Sequence, residues 1–146
     1  MPSVRGCNLP DVLLYDVDNH IWFTEMGDGT VKVGMTAVAT AMAGKLVAFT
    51  PKKVGRSVRA GKSCGTLESG KWVGPAKSAA GGEVMAVNDD LVADPSIAND
   101  DPYEKGWLII LKPEDWDAVK GSLVAGSDVT APYEAKMDSE GFAGCA

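Results

Sequence analysis

Short apolar runs separated by glycine, proline and lysine fill the middle of this chain, and they restrict it to a fold built mainly from β-strands. Three such runs occupy residues 46–49, 64–68 and 83–87. Each run has the length and the turn-forming neighbours of a single short strand. The sequence therefore predicts a barrel or a sandwich of short strands.

Further elements are predicted on both sides of these strands. Residues 20–25 and 30–34 surround a glycine-rich turn and predict a β-hairpin. Residues 36–43 are rich in alanine and precede Gly44, which suits a left-handed C-cap, so a short helix is predicted there. The remaining predicted elements are helical turns at residues 88–92 and 94–99, a buried strand at 106–111, a short helix at 113–119 and a marginal helix at 132–140.

Composition divides the chain into a central domain and two end segments. Residues 1–19 mix proline, glycine, asparagine and aspartate around a short apolar patch, which predicts a lead-in segment with little regular structure. Residues 20–121 contain most of the predicted elements, and we expect them to form one domain. Residues 122–146 form a C-terminal tail.

Charge and hydropathy exclude several classes of function. The 146 residues include 14 Lys and Arg against 20 Asp and Glu, and the net charge of −6 argues against a surface that binds nucleic acid. No apolar stretch reaches the roughly 18 residues that a bilayer span requires, and no signal-peptide pattern opens the chain. We therefore expect a cytoplasmic protein with neither a nucleic-acid nor a membrane partner.

The cysteine and histidine content disfavours metal binding and conventional side-chain catalysis. Cys7, Cys64 and Cys145 lie far apart, unlike a dense disulfide framework or a structural zinc site, and this favours a reducing compartment. His20 is the single histidine, and multi-histidine metal sites and relays need more. The chain is expected to carry, bind or present something, with no metal ion.

One predicted hairpin tip supplies a candidate attachment point. Within residues 67–75 a strand ends, Lys71 follows a glycine, and a Gly-Pro pair turns the chain back. A lysine on a protruding turn presents its amine to a modifying enzyme, while the flanking strands fix the origin of an attached arm. The same lysine could be an ordinary solvated residue, and the turn alone does not decide between these interpretations.

The sequence around this lysine resembles the glycine-cleavage H-protein family and, more broadly, lipoyl carrier domains. E-S-G-K at residues 68–71 is followed by G-G-E-V, V-N, D-P and G-W-L, where the family has E-S-V-K, S-G-E-V, V-N, N-P and G-W-L. H-I-W at residues 20–22 and V-G-M-T at 33–36 resemble two further family motifs. The resemblance covers residues 20–116 and implies a barrel-sandwich hybrid, mainly β with short helices.

The same resemblance implies a non-catalytic carrier with lipoate amide-linked to Lys71. Glu68 is then the acidic residue that lipoate-attaching enzymes recognise, and Gly82 is the downstream glycine recognised with it. His20 is favoured as a structural hydrogen-bonding residue of the first strand that could also contact the arm. Trp72 is equally a candidate arm or docking contact and a packed aromatic of the hairpin. The chemistry of such a protein belongs to its cofactor, a cyclic disulfide on a flexible chain.

Departures from the H-protein pattern favour a branch of the family that serves sulfur oxidation. W-V-G-P-A-K at residues 72–77 and both chain ends resemble the lipoate-binding proteins of heterodisulfide-reductase-like complexes. The implied cargo is sulfur, which the arm exchanges with such a complex. Cys7 and Cys145 could then accept sulfur from the arm, or they are tail cysteines without a function.

Two other functions stay open from the sequence. The chain could be a glycine-cleavage H protein, carrying an aminomethyl group among glycine decarboxylase, aminomethyltransferase and dihydrolipoamide dehydrogenase. It could also be a β-barrel binding module with no cofactor, which the motifs favour least.

Overall fold

Strands dominate residues 3–145, the part of the chain that the computed structural model describes. The strands are β1 (Ser3–Val4), β2 (Cys7–Asn8), β3 (Leu14–Asp16), β4 (Ile21–Glu25), β5 (Val31–Met35), β6 (Leu46–Pro51), β7 (Ser57–Val58), β8 (Lys62–Ser69), β9 (Val73–Ser78), β10 (Gly82–Val87), β11 (Ile109–Pro113) and β12 (Val124–Ala125). The helices are α1 (Ala37–Ala43), α2 (Asp89–Ala93), α3 (Ile97–Asp100), α4 (Trp116–Ser122) and α5 (Thr130–Glu140), with a 3₁₀ turn at Gly126–Asp128. This composition confirms the prediction of a mainly β fold with short helices.

The strands form two sheets and one small hairpin. The larger sheet has the order β12-β3-β4-β5-β11-β10-β7, the smaller has the order β6-β8-β9, and β1 pairs with β2. All strand pairs are antiparallel, as expected for strands joined by short turns.

Two hydrophobic clusters form the core. The first includes Phe23 and Leu111 from the larger sheet and Leu67 from the smaller one. The second joins the N-terminal segment to α5 and includes Tyr15 and Tyr133. Full burial of one large apolar side chain contributes roughly 1.5–3 kcal/mol, so both chain ends add substantially to the stability of the fold.

Local signals in the sequence located the β4–β5 hairpin and α1 correctly. Phe23 pairs with Val33 across the hairpin. At α1 the Thr36 hydroxyl accepts a hydrogen bond from the Ala39 amide at 3.3 Å, and Gly44 ends the helix. The Gly44 φ of 81° is positive as predicted, but its ψ of −172° differs from that of the expected left-handed C-cap. An N-cap hydroxyl and a positive-φ glycine are the features that begin and end such a helix.

The predicted boundary between the last long strand and the next helix is wrong. Pro113 was expected to open a helix, but it ends β11 and pairs with Gly82 of β10. Asp115 then adopts a φ of 50°, and the helix begins only at Trp116. Pairing with β10 extends the strand past the residues at which the local signals favour a helix.

The lead-in segment is more regular than its composition predicts. β3 pairs with β4 on one side and with β12 on the other, so both chain ends contribute to the larger sheet. Strands of two or three residues leave little trace in a sequence because they depend on a partner strand from elsewhere. Residues 1–2 and 146 lie outside the described residues, and the division at 19/20 and 121/122 stays a prediction.

Within residues 3–145, none of the helices is both long enough and apolar enough to cross a membrane.

Candidate functional site

The hairpin between β8 and β9 carries Lys71 at its tip. Glu68 pairs with Val73 at the base of the turn, and the Ser69 amide donates to the Trp72 carbonyl at 2.7 Å. The Lys71 amide donates to the Ser69 hydroxyl at 3.3 Å. These bonds hold the backbone of the turn, while Lys71 itself is exposed to solvent.

The side chain of Lys71 lies across the C-terminal end of α1. A Cβ placed on Gly44 would be 3.2 Å from Lys71 Cε and 3.9 Å from its Nζ. Gly44 therefore has two roles: it adopts the positive φ that ends α1, and its lack of a side chain leaves room for Lys71 to cross.

A cavity of about 460 Å³ opens beside Lys71. Most of its wall is apolar, with Met35, Met42 and Leu67 among the lining residues, and its polar residues include His20 and Glu140. Volume and lining are those of a site for a small organic group with a polar end.

His20 links the cavity to the core through an ordered chain of hydrogen bonds. Its Nε2 lies 2.8 Å from Glu140 Oε1, and its Nδ1 lies 2.9 Å from Tyr133 Oη. Tyr133 Oη is in turn 2.9 Å from Thr36 Oγ1. With a neutral ring, Nε2–H donates a hydrogen bond to the Glu140 carboxylate, and Nδ1 accepts a hydrogen bond from the Tyr133 hydroxyl. This tautomer is assigned from these two partners.

The two polar groups of the cavity differ in their preferred charge. Burial lowers the pKa of His20 below its ordinary value, although Glu140 acts in the opposite direction. Burial disfavours the charged form of Glu140, but hydrogen bonds from His20 and from Lys136 outweigh it and lower the pKa of the carboxyl group. The cavity therefore presents a carboxylate beside a neutral imidazole at neutral pH.

A family model described as "Glycine cleavage H-protein" matches residues 13–136, which include the β8–β9 hairpin and most of α5. The chain belongs to the glycine cleavage H-protein family. Proteins of this family are non-catalytic carriers that hold lipoate covalently on a lysine.

Relatives and a solved structure agree along most of the chain. "Glycine cleavage system H protein 5" of Aquifex aeolicus is 48% identical over 128 residues, covering 85% of this chain and 86% of the relative. "Glycine cleavage system H protein 2" of the same organism is 39% identical over 136 residues, covering 93% and 84%. The crystal structure of a glycine cleavage system H protein from Mycobacterium marinum matches with a TM-score of 0.73 and 33% identity, covering 91% of this chain and 99% of that one. This match confirms the predicted barrel-sandwich hybrid.

Four of the candidate site residues lie at or near this cavity in the H-protein fold. Lys71, His20 and Trp72 line it, and Glu68 is exposed on the same hairpin. The Trp72 side chain is 37% exposed, and its ring covers Gly74, where a Cβ would collide with it. Trp72 is thus both a packed hairpin residue and part of the cavity wall.

Gly82 has a structural reason to be glycine. It is buried in the larger sheet with a φ of 155°, and a Cβ there would collide with the Lys112 carbonyl oxygen. Lys71 lies on the turn between β8 and β9, two strands of the smaller sheet. Recognition of Gly82 by a lipoate-attaching enzyme stays a prediction.

The two terminal cysteines are not separate thiols. Cys7 and Cys145 form a disulfide with their Cα atoms 5.0 Å apart. The pairing could not be predicted, because 138 positions separate the two residues and only the packing of β1–β2 against the C-terminal end of α5 brings them together. Because these two cysteines are paired, the wide spacing of the cysteines no longer argues for a reducing compartment. Cys64 is free and buried, and burial raises the pKa of its thiol to about 12. The thiol therefore stays protonated, as expected for a residue of the core.

Sequence reasoning missed Glu140 and the second role of Gly44. No motif marks Glu140 as a site residue, and it reaches the cavity only because α5 packs beside His20. Gly44 was identified as a helix C-cap, a local signal that says nothing about a lysine crossing it.

Proposed function

We propose that this chain is a lipoyl carrier with lipoate joined by an amide bond to Lys71 Nζ. The observation that supports this most is an exposed lysine at a hydrogen-bonded hairpin tip, with its side chain directed across Gly44 at the edge of the cavity. A modifying enzyme reaches such an amine without unfolding the protein, and Glu68 lies on the same exposed hairpin for it to recognise.

The residues around Lys71 fit a lipoyl group. When bound, lipoate supplies a dithiolane that opens to a dithiol and holds a transferred group. Met35, Met42 and Leu67 offer an apolar wall for the hydrocarbon part of the arm, and His20 with Glu140 offers a polar end for a cargo. The hairpin fixes the base of the arm, so transfer between partner enzymes gains from tethering.

An aminomethyl group is the cargo that the cavity and the relatives support best. The names of the relatives refer to glycine cleavage and give no support to the sulfur interpretation. The Glu140 carboxylate is complementary to the positive charge of an aminomethyl group, whereas it repels an anionic sulfur cargo. The corresponding partners are glycine decarboxylase, aminomethyltransferase and dihydrolipoamide dehydrogenase.

Sulfur carriage for a heterodisulfide-reductase-like complex is a second candidate. It is favoured by residues 72–77, which depart from the usual H-protein sequence and place Trp72 in the cavity wall. Aquifex aeolicus also has at least two separately numbered relatives, which leaves room for members with different cargoes.

Intact mass tests the attachment site. The protein is expressed with lipoate and lipoate-attaching enzymes, and we expect one lipoyl group that is lost in Lys71→Arg. Lys77→Arg is the matched control, because Lys77 is exposed on β9 of the same hairpin. A lipoyl group that persists in Lys71→Arg, or that never forms on the wild type, contradicts the proposal.

Two loading assays separate the cargoes. Lipoylated protein is given glycine decarboxylase and scored for exchange of bicarbonate into glycine, and a second sample is given a sulfane-sulfur donor and scored for added sulfur by mass. Fast exchange supports the aminomethyl carrier. Sulfur loading without exchange supports the second candidate and contradicts the first.

A further inference from the structure

A groove on the surface of α1 runs from Gly44, next to the Lys71 side chain, towards the Cys7–Cys145 disulfide. It begins at Gly44, which the Lys71 side chain crosses, and its first part is lined by Thr40 and Ala41. The same two residues line a cavity of about 600 Å³ that continues to Ala37 and to both cysteines. The floor of the groove consists mostly of alanine and glycine, so no large side chain from α1 blocks it.

The length of this groove matches the reach of an arm on Lys71. Gly44 and Ala37 are seven positions apart, which is about 10.5 Å at the helical rise of roughly 1.5 Å per residue. Cys145 Sγ lies 3.8 Å from the Ala37 carbonyl oxygen. A lipoyl group extends about eight bonds beyond Nζ, or about 10 Å when extended. The extended length of such an arm is therefore close to the length of the groove between Gly44 and Ala37.

The two cysteine sulfurs differ in exposure. Cys7 is only 1% exposed, whereas Cys145 is partly exposed, and both line the cavity at the end of the groove. A thiol in the groove therefore meets Cys145 Sγ first, and Cys7 is the sulfur that leaves.

Charge around the disulfide favours a tethered, uncharged thiol over thiols from solution. Asp100, Asp101 and Glu104 line the cavity that contains the two cysteines. Carboxylates repel an anionic thiol such as glutathione, but a dihydrolipoyl group carries no charge. Tethering adds a high effective concentration to this selectivity.

We propose that the Cys7–Cys145 disulfide is an internal electron acceptor for the dithiol form of an arm on Lys71. This inference rests on the proposed lipoylation. Cys145 Sγ bonds to one arm sulfur as its bond to Cys7 breaks, and Cys7 takes up one proton. Cys145 then leaves with the second proton as the two arm sulfurs join. One dithiol becomes a cyclic disulfide and one disulfide becomes two thiols, so two electrons and two protons pass to the cysteines.

Thiol mapping on the lipoylated protein tests the inference. Intact mass first establishes that Lys71 carries lipoate, and failure at that step counts against the proposed function alone. NADH and dihydrolipoamide dehydrogenase then reduce the arm without oxygen. Samples are denatured, alkylated and digested at intervals, with Cys64 as the internal standard because it is a free thiol throughout.

We expect Cys7 and Cys145 to become alkylated together at a rate that does not depend on protein concentration. Unlipoylated Lys71→Arg supplied with an equal concentration of free lipoamide should react at least about tenfold more slowly, because tethering is lost. A disulfide that stays intact while the arm is reduced overturns the inference and leaves it a structural cross-link. Equal rates in the two proteins overturn it as well.

A second variant tests the route. Ala41 is exposed on α1 and lines both parts of the groove, so Ala41→Leu should fill it and slow the alkylation of Cys7 and Cys145 severalfold. Ala118→Leu, at an exposed position of α4, is the matched control and should leave the rate unchanged. Equal rates for the two variants contradict the route along α1.

Discussion

His20 Nε2 lies 2.8 Å from Glu140 Oε1 and joins the start of β4 to the last residue of α5 across 120 positions of sequence. The contact does two things at once. It holds the C-terminal helix against the cavity beside Lys71, and it supplies that cavity with a carboxylate. The tail is therefore part of the candidate functional site.

The stability of the protein should fall as the pH drops below about 6.5. Burial lowers the pKa of His20 from its ordinary value of 6.5, so below that pH the unfolded chain binds a proton that the folded chain does not. Stability from this group is complete above pH 6.5 and is lost as the pH falls towards the lowered pKa. Glu140 acts in the same direction below its ordinary value of 4.5. Urea unfolding at several pH values measures the slope.

His20→Asn is the variant that isolates this effect. His20 has a φ of 57°, which asparagine tolerates better than most residues, and the amide does not titrate. We expect a flatter dependence of the free energy of unfolding on pH below about 6.5. An unchanged slope in His20→Asn would show that other groups are responsible.

Removing the charge of Glu140 should weaken loading with an aminomethyl group. Glu140→Gln keeps an oxygen that accepts the hydrogen bond from His20 Nε2–H, but it loses the negative charge. At a partly exposed site the loss is roughly 0.4–1 kcal/mol, or about two- to fivefold in glycine–bicarbonate exchange. Lipoylation, measured by intact mass, should not change.

Glu134→Gln controls for a general effect on α5. Glu134 lies on the same helix, is not among the residues that line the cavity, and has Arg5 Nη2 4.0 Å away. Exchange that drops equally in both variants would contradict a role for Glu140 in the cavity.

Elements with local signals could be predicted from the sequence, and elements that depend on distant partners could not. The β4–β5 turn and the Gly44 cap are each determined by residues that lie within a few positions of one another. The end of β11 depends on pairing with β10, and β3 depends on β4 and β12, so the local pattern misled at Pro113 and in the lead-in segment.

The same distinction applies to the site. Lys71 stands out because motif and turn coincide, and its exposure agrees with the prediction. Glu140 and the pairing of Cys7 with Cys145 depend on where α5 packs, which no spacing in the sequence encodes. Signals in the sequence thus located the candidate attachment point but not the groups gathered around it.

Gly44→Ala should slow lipoylation in addition to destabilising the fold. Alanine at a φ of 81° and a ψ of −172°, a region occupied almost only by glycine, costs about 1–3 kcal/mol in backbone strain, and its Cβ would crowd Lys71 Cε at 3.2 Å. Gly55→Ala is the matched control, since Gly55 has a φ of 88° with no atom within 4 Å of the added Cβ. We expect both variants to lose stability, but a lower initial rate of lipoylation only in Gly44→Ala. Equal rates would mean that the crossing of Gly44 does not matter for the modifying enzyme.

Removing the disulfide should destabilise the protein through its two ends. It closes a loop of 138 positions, and loss of such a cross-link typically costs about 2–5 kcal/mol. The Cys7→Ser, Cys145→Ser double variant should therefore unfold at lower urea concentration, and hydrogen exchange should rise first in β1, β2 and α5. Arg5 limits the loss, because it still pairs with Asp138 at 2.5 Å and donates to the Phe142 carbonyl at 3.2 Å.

Treatment with a reductant distinguishes the loss of the disulfide from other effects of the two serine substitutions. Wild-type protein in dithiothreitol should approach the stability of the double variant, whereas the double variant itself should not respond. Cys64→Ala loses some core packing but should keep the full response to dithiothreitol, because Cys64 takes no part in the cross-link. If dithiothreitol leaves the unfolding curve of the wild type unchanged although mass spectrometry finds Cys7 and Cys145 reduced, the packing of α5 and β1–β2 holds the ends together without the covalent bond.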